Sequence, residues 1–214
     1  FIEMAEQYGL IHSISTWVIQ QACQDCKQLH DKGYTQLSVA VNISALLLER
    51  NNLAEAVTNS LRDTGLPPHA LELELTESAL FQQGSTSGNA QLQQIRQLGV
   101  ELSVDDFGTG YSNLHYLGQL DIQKLKIDKS FVMQLKSTPN KANDLTAAII
   151  DIAKRFQLKT VAEGIETQEV AQILRGMKCE VGQGFHWSKP VSLESLLVFL
   201  ENFPQNAKTA HHSQ

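Results

Sequence analysis

Two adjacent aspartates close an apolar run in Val104-Asp105-Asp106-Phe107-Gly108-Thr109-Gly110-Tyr111, and their chemistry is the first constraint on this chain. Like charges about 4 Å apart repel by roughly 4 kcal/mol at an effective dielectric of 20. A strand that ends in both carboxylates calls for something positive beside them, and a divalent metal ion is the simplest candidate. The arrangement recurs. Asn42, Glu74, Lys126, Glu163 and Gln183 each stand near the far end of a short apolar run.

Other chemistry-bearing residues are better explained by structure. Cys23 and Cys26 form a C-x-x-C, but no second pair follows at zinc spacing and the surrounding segment has helical character. The seven histidines show no metal-ligand spacing. Gly108 and Gly110 read as loop hinges, since the G-x-G lacks the lysine and following helix of a phosphate loop. Lys126 and Asp128, two apart, have a simple ion pair as their ordinary alternative. For Glu74 and Glu77 the alternative is an acidic cluster ahead of a helix.

The frame that must position these groups is a soluble globular one. The chain has 214 residues, 42% hydrophobic and 19% charged, enough for one sizeable core. No run approaches the roughly 18 to 20 apolar residues of a membrane span, and no signal peptide opens the chain. A net charge of −6 with no basic run argues against DNA or RNA as partner. An anionic substrate remains compatible if metal ions reverse the local sign. Three cysteines without a disulfide framework suggest a reducing, cytoplasmic compartment.

Alternating runs predict strands at 37–43, 71–75, 100–104, 122–127, 159–165 and 180–185. Helical spacing or capping predicts helices at 13–30, 45–64, 89–98, 143–156, 167–177 and 192–202, with a shorter segment at 113–120. Strand alternating with helix means parallel strands and βα units. In Leu71-Glu72-Leu73-Glu74-Leu75 the leucines share one face and the glutamates the other, and Ile122–Ile127 repeats the pattern with lysines. One apolar and one polar face suits an α/β fold of (β/α)8-barrel type, helices outside and a polar interior, rather than a doubly wound sheet. The polar strand ends then fall on the rim where barrel enzymes keep their chemistry. Six strands do not close such a barrel, and the expectation is that two are missing upstream of Phe1.

At this point the residues resemble a known set. Val41-Asn42-Ile43-Ser44, Glu74-Leu75-Thr76-Glu77-Ser78, Asp105–Ser112, Leu125-Lys126-Ile127-Asp128, Val161–Glu166 and Gln183-Gly184 are similar to the ordered motifs of the EAL-domain family. That family comprises bacterial cyclic di-GMP phosphodiesterases and their degenerate relatives. The resemblance covers residues 1–203 and leaves 204–214 as a loose polar tail. The Glu-Ala-Leu signature itself is absent, so the truncated chain is expected to lack one metal ligand and to need its upstream strands for activity.

The resemblance implies a TIM-like barrel of EAL type, here with six of eight strands. It implies hydrolysis of cyclic di-GMP to the linear dinucleotide pGpG with two Mg²⁺ or Mn²⁺ ions. By motif position Asn42, Glu74 and Asp105 would hold one metal, while Asp105 and Asp106 would hold the second. Lys126 would orient the attacking water and meet phosphate charge. Glu163 would be general base or metal ligand. Gln183, with Asn42 and Lys126, would contact substrate, and Glu77 and Glu166 would anchor the 106–112 loop. The alternative in the same family is a non-catalytic cyclic di-GMP receptor acting through a protein partner. The resemblance also implies upstream sensory or GGDEF-type domains, no membrane contact by this domain itself, and a homodimer through the apolar face of helix 143–156.

Overall fold

The computed structural model describes residues 1–49, 52–81, 86–109, 117–118, 121–137 and 139–202. Six parallel strands form one sheet in chain order: β1 (Val39–Ile43), β2 (Leu71–Thr76), β3 (Glu101–Phe107), β4 (Lys124–Ile127), β5 (Lys159–Ala162) and β6 (Val181–Gly182). Each strand pairs with the next, so the order never reverses as it does in a doubly wound sheet. The result is a curled half-barrel, six strands of a TIM-like wall.

Helices α1 (Ile2–Gln7) and α2 (Ile11–Asp31) precede the sheet. Between strands run α3 (Ala45–Glu49), α4 (Leu53–Thr64), α5 (Glu77–Phe81), α6 (Thr86–Leu98), α7 (Lys129–Ser137), α8 (Pro139–Arg155) and α9 (Gln168–Gly176), and α10 (Leu193–Asn202) follows the last strand. Leu71, Leu73, Leu75, Leu102, Leu125 and Ile127 are buried and join residues of these helices in one core. By alternation the opposite face carries Glu72, Glu74, Glu101, Ser103, Lys124 and Lys126. The apolar face therefore drives folding and the polar face is left to line the interior. Among the described residues no helix is long and apolar enough to cross a membrane.

Several elements depart from the sequence expectation for identifiable reasons. The single helix expected over 45–64 is two, α3 and α4. Gln91 of α6, itself buried, holds the break: its Nε2 donates to the Leu48 carbonyl at 2.7 Å and its Oε1 accepts from Leu53 N–H at 2.9 Å. One amide side chain thereby satisfies backbone groups that both helix ends leave open. Helix α7, which hydrophobic spacing alone missed, starts where Asp128 Oδ1 accepts the Ser130 N–H at 2.9 Å. Helix α8 begins at Pro139, four residues ahead of the expected start, because proline suits a helix's first turn. Strand β3 runs through Asp105 and Asp106 to Phe107 instead of stopping at Val104. Strand β6 is shorter than its expected run, pairing only at Val181 and Gly182. The segment expected at 113–120 lies almost wholly outside the described residues, as does the 204–214 tail.

Candidate metal centre at the carboxyl ends of the strands

The site is built on a bulge. Val104 pairs with Leu125 and Phe107 with Ile127, so Asp105 and Asp106 together stand opposite the single residue Lys126. In a regular strand two neighbours point to opposite faces, and an extra residue on one side is the usual way to re-aim them. Asp106 takes the bulge in the left-handed region, φ 55°, which aspartate tolerates better than most residues. Its N–H donates to Asp105 Oδ1 at 2.9 Å, so the first carboxylate secures the second. Oxygens of Asp105, Asp106 and Glu163 then all lie within 4.8 Å of one another, a set able to hold a metal ion.

Beneath them Lys126 is nearly sealed from solvent, its side chain 4% exposed. Its Nζ reaches Glu74 Oε2 at 2.6 Å, Glu163 Oε1 at 2.7 Å and Asp105 Oδ1 at 3.2 Å. Burial alone would lower its pKa, but hydrogen bonds and charges from Glu163 and Glu74 outweigh burial and hold the ammonium above the ordinary lysine range. Burial raises Glu74 in spite of Lys126. Burial, then the charges of Asp105, Asp128 and Glu163, raise Asp106. One lysine thus faces more carboxylate than it can neutralise. The donor set is all hard oxygen with surplus negative charge, which fits a divalent cation of the Mg²⁺ or Mn²⁺ kind.

The remaining sequence candidates are placed less uniformly. Asn42 lies beside Glu74 in the β1–β2 register and is exposed. Glu77 is buried at the start of α5, and its Oε2 accepts the Gly108 N–H at 2.9 Å, directly after the bulge. Its Oε1 has no partner among the described residues. Glu166 is exposed, and residues 110–112 of the 106–112 loop it was expected to hold lie outside the described residues. Gln183 continues the β6 ladder by backbone alone, donating to the Ala162 carbonyl at 2.8 Å and accepting from Ile165 N–H at 3.0 Å, with the residue exposed. Gly184 beside it must be glycine, since a Cβ would sit 2.1 Å from the Ile165 carbonyl oxygen. After Glu163 the chain turns at Gly164, φ 67°, where a Cβ would meet Lys129 at 2.7 Å. That turn lets Glu163 end its strand against the head of α7.

One residue escaped the sequence reading. Asp128 makes no ion pair with Lys126 among the described contacts, and its charge instead helps to raise Asp106. Its position two residues after Lys126, on the same side of β4, was the available signal.

A cyclic di-GMP phosphodiesterase of Pseudomonas aeruginosa, NbdA, is 41% identical over 203 residues, covering 95% of this chain and 26% of that protein. The Bacillus subtilis signalling protein YkoW is 40% identical over 204 residues, covering 95% of this chain and 25% of that one. The chain thus spans about a quarter of the length of these curated relatives. Among solved structures, the MucR phosphodiesterase in complex with c-di-GMP superposes with a TM-score of 0.87 at 37% identity, over 92% of this chain and 78% of that one. An EAL enzyme, Bd1971, with cAMP and cyclic di-GMP bound gives 0.87 at 32% identity, over 94% and 55%. The family model of the EAL domain matches residues 1–190, and the chain belongs to the EAL domain family.

Proposed function

We propose that this domain hydrolyses one 3′–5′ phosphodiester bond of cyclic di-GMP and releases the linear dinucleotide pGpG. The observation that carries the reading is the excess of carboxylate over lysine at the strand ends, with oxygens of Asp105, Asp106 and Glu163 within 4.8 Å. The phosphodiesterase names of NbdA and MucR, and the cyclic di-GMP held by the MucR structure, supply the substrate class. Two Mg²⁺ or Mn²⁺ ions would be held by Asn42, Glu74, Asp105, Asp106 and Glu163. When bound they polarise the phosphoryl oxygens and lower the pKa of an attacking water.

The chain's own groups do the rest. Lys126 fixes Glu74, Asp105 and Glu163 in one cluster and sets a buried positive charge beneath the phosphate. Glu163, 20% exposed, is open enough to meet water, and its carboxylate receives the proton of the attacking water. Asn42 and Gln183, both exposed near the strand ends, offer amide donors to the substrate. Glu77 holds the backbone after the bulge, and Glu166 would anchor the same 106–112 loop. Residues 1–203 lie within the working unit, in the cytoplasm, as a homodimer through α8 and beside upstream sensory or GGDEF-type domains.

The test is cyclic di-GMP turnover followed by chromatography, with Mg²⁺ or Mn²⁺ and with a chelator, on the chain extended upstream through the strands it is expected to need. Linear product that disappears on chelation is the expected result. Cyclic di-GMP bound but not cleaved with either metal would replace this reading by that of a receptor.

A further inference from the structure

We infer that the hollow at the amino end of β5 is a binding site for a small organic anion with an apolar body, separate from the metal centre at the other end of the strands. The hollow has a volume of about 480 Å³ and lies where α8 and α9 end and β5 begins. That size falls within the range of small-molecule sites. Ile150 and Leu158 line it and are buried, with Met177 half-buried beside them. Lys154, Lys159 and Lys178 line the same hollow and are exposed. Lys159 opens β5, and Glu163 follows directly after that strand, about 13 Å away at the usual rise per residue.

The fold itself does not use up these lysines. The last turn of a helix attracts cations through its open carbonyls, but here the backbone takes those carbonyls. Gln157 and Leu158 N–H groups donate to the Lys154 and Ala153 carbonyls at 3.1 and 2.9 Å, and Lys178 and Cys179 N–H groups donate to those of Arg175 and Leu174, each at 3.0 Å. Nor do carboxylates hold the lysines. Among the described residues none of the three forms an ion pair. Of the two acids in the lining, Glu180 is committed to the wall, its Oε2 accepting the Thr160 N–H at 2.9 Å. Three lysines against Asp151 and Glu180 leave one net positive charge, in a chain whose net charge is −6. The adjoining hollow, about 380 Å³, shares Gln157 and Lys159 and makes the contrast. Its Lys124 is held by Glu72 and Glu101, and its Asp121 by Arg96 at 3.1 Å. Charge there is spent, whereas in the first hollow it is open to a ligand. Buried hydrocarbon beside unspent ammonium groups matches a carboxylate or phosphate ester carried on an apolar ring.

The probes are naphthoate, naphthyl phosphate and the uncharged naphthalenemethanol, titrated into the chain extended upstream as for turnover, with backbone amide shifts read by NMR. Saturable shifts at Leu158, Thr160 and Lys178 are expected with an anion, and they should weaken as salt is added. The tighter of the two anions tells a carboxylate site from a phosphate-ester site. The double change Lys159→Gln and Lys178→Gln is expected to weaken anion binding by about ten-fold or more, the ordinary worth of hydrogen bonds to a charged group, with the thermal midpoint near that of the parent. Anion affinity that survives this change intact overturns the proposal. Equal binding of the uncharged alcohol overturns it as well, as does failure of both anions to saturate by about 1 mM. The comparison of anion with alcohol needs only the parent protein, so it decides the matter even where the double variant folds poorly.

Discussion

Lys124 and Lys126 stand two residues apart on β4 and point into the same interior, each against carboxylates from β2 and β3. Lys124 meets Glu72 at 2.6 Å and Glu101 at 2.7 Å. Lys126 meets Glu74 at 2.6 Å, Glu163 at 2.7 Å and Asp105 at 3.2 Å. The lower cluster is an ordinary structural one. Glu101 is 31% exposed, so water shares the charge, and the two carboxylates keep Lys124 charged in spite of its burial. In the upper cluster the same pairing leaves Asp106 and Asp128 over, and burial together with neighbouring charge raises Asp106. Buried ion pairs by themselves say little about function, and often add little stability. What separates these two layers is charge that the protein does not neutralise with its own side chains.

The largest expected effect tests the burial half of that contrast. Lys126→Met strands three carboxylates in a nearly dry interior and should lower metal-free stability by about 3–5 kcal/mol in urea unfolding. Added Mn²⁺ should restore part of the loss. A cost no larger than that of the matching change at Lys124 would erase the distinction between the layers. Next comes Asp106→Asn, expected to lower cyclic di-GMP turnover by at least about 100-fold, because a ligand matters more than the residues behind it. The same change should raise the metal-free melting midpoint by a few degrees.

The sign of that second effect follows from the raised carboxyl of Asp106. A group whose folded pKa lies above its unfolded one holds its proton longer in the fold. Stability is thus full below the ordinary carboxylate range and is lost as pH rises through the raised value. Melting curves across that window should flatten in Asp106→Asn, and an unchanged pH profile would show that Asp106 is not strained by its neighbours. The smallest effect is at Lys124→Met, about 1–2 kcal/mol of stability with turnover within a few-fold of the parent, since solvent can replace the lost cation near Glu101. A large loss of activity there would make the lower layer part of the site.

Much of this was legible in the chain because period-2 alternation is a local property. The leucine and glutamate parity of 71–75 foretold a wall with one apolar and one polar face, and the order of the motifs foretold which strand carries which polar group. Local signals failed where one element repairs another. Within residues 45–64 the local sign of the break is Asn52, the N-cap position of α4, but the side chain that closes the break, Gln91, comes from α6. An ion pair with Asp128 was the alternative that nearness in sequence offered for Lys126, yet Lys126 takes its carboxylates from β2, β3 and the residue after β5.

The sequence by itself determined the residue types at the strand ends, the βα rhythm and the family resemblance, all of which depend on order along the chain. Only the tertiary structure decided that Asp105 and Asp106 act together. Adjacent residues on a strand diverge, and it is the bulge against β4, with Asp106 in the left-handed region, that brings both within reach of Glu163. Alternation sets the regular register of each strand, but a bulge of one extra residue shows only when the strand is paired with its neighbour.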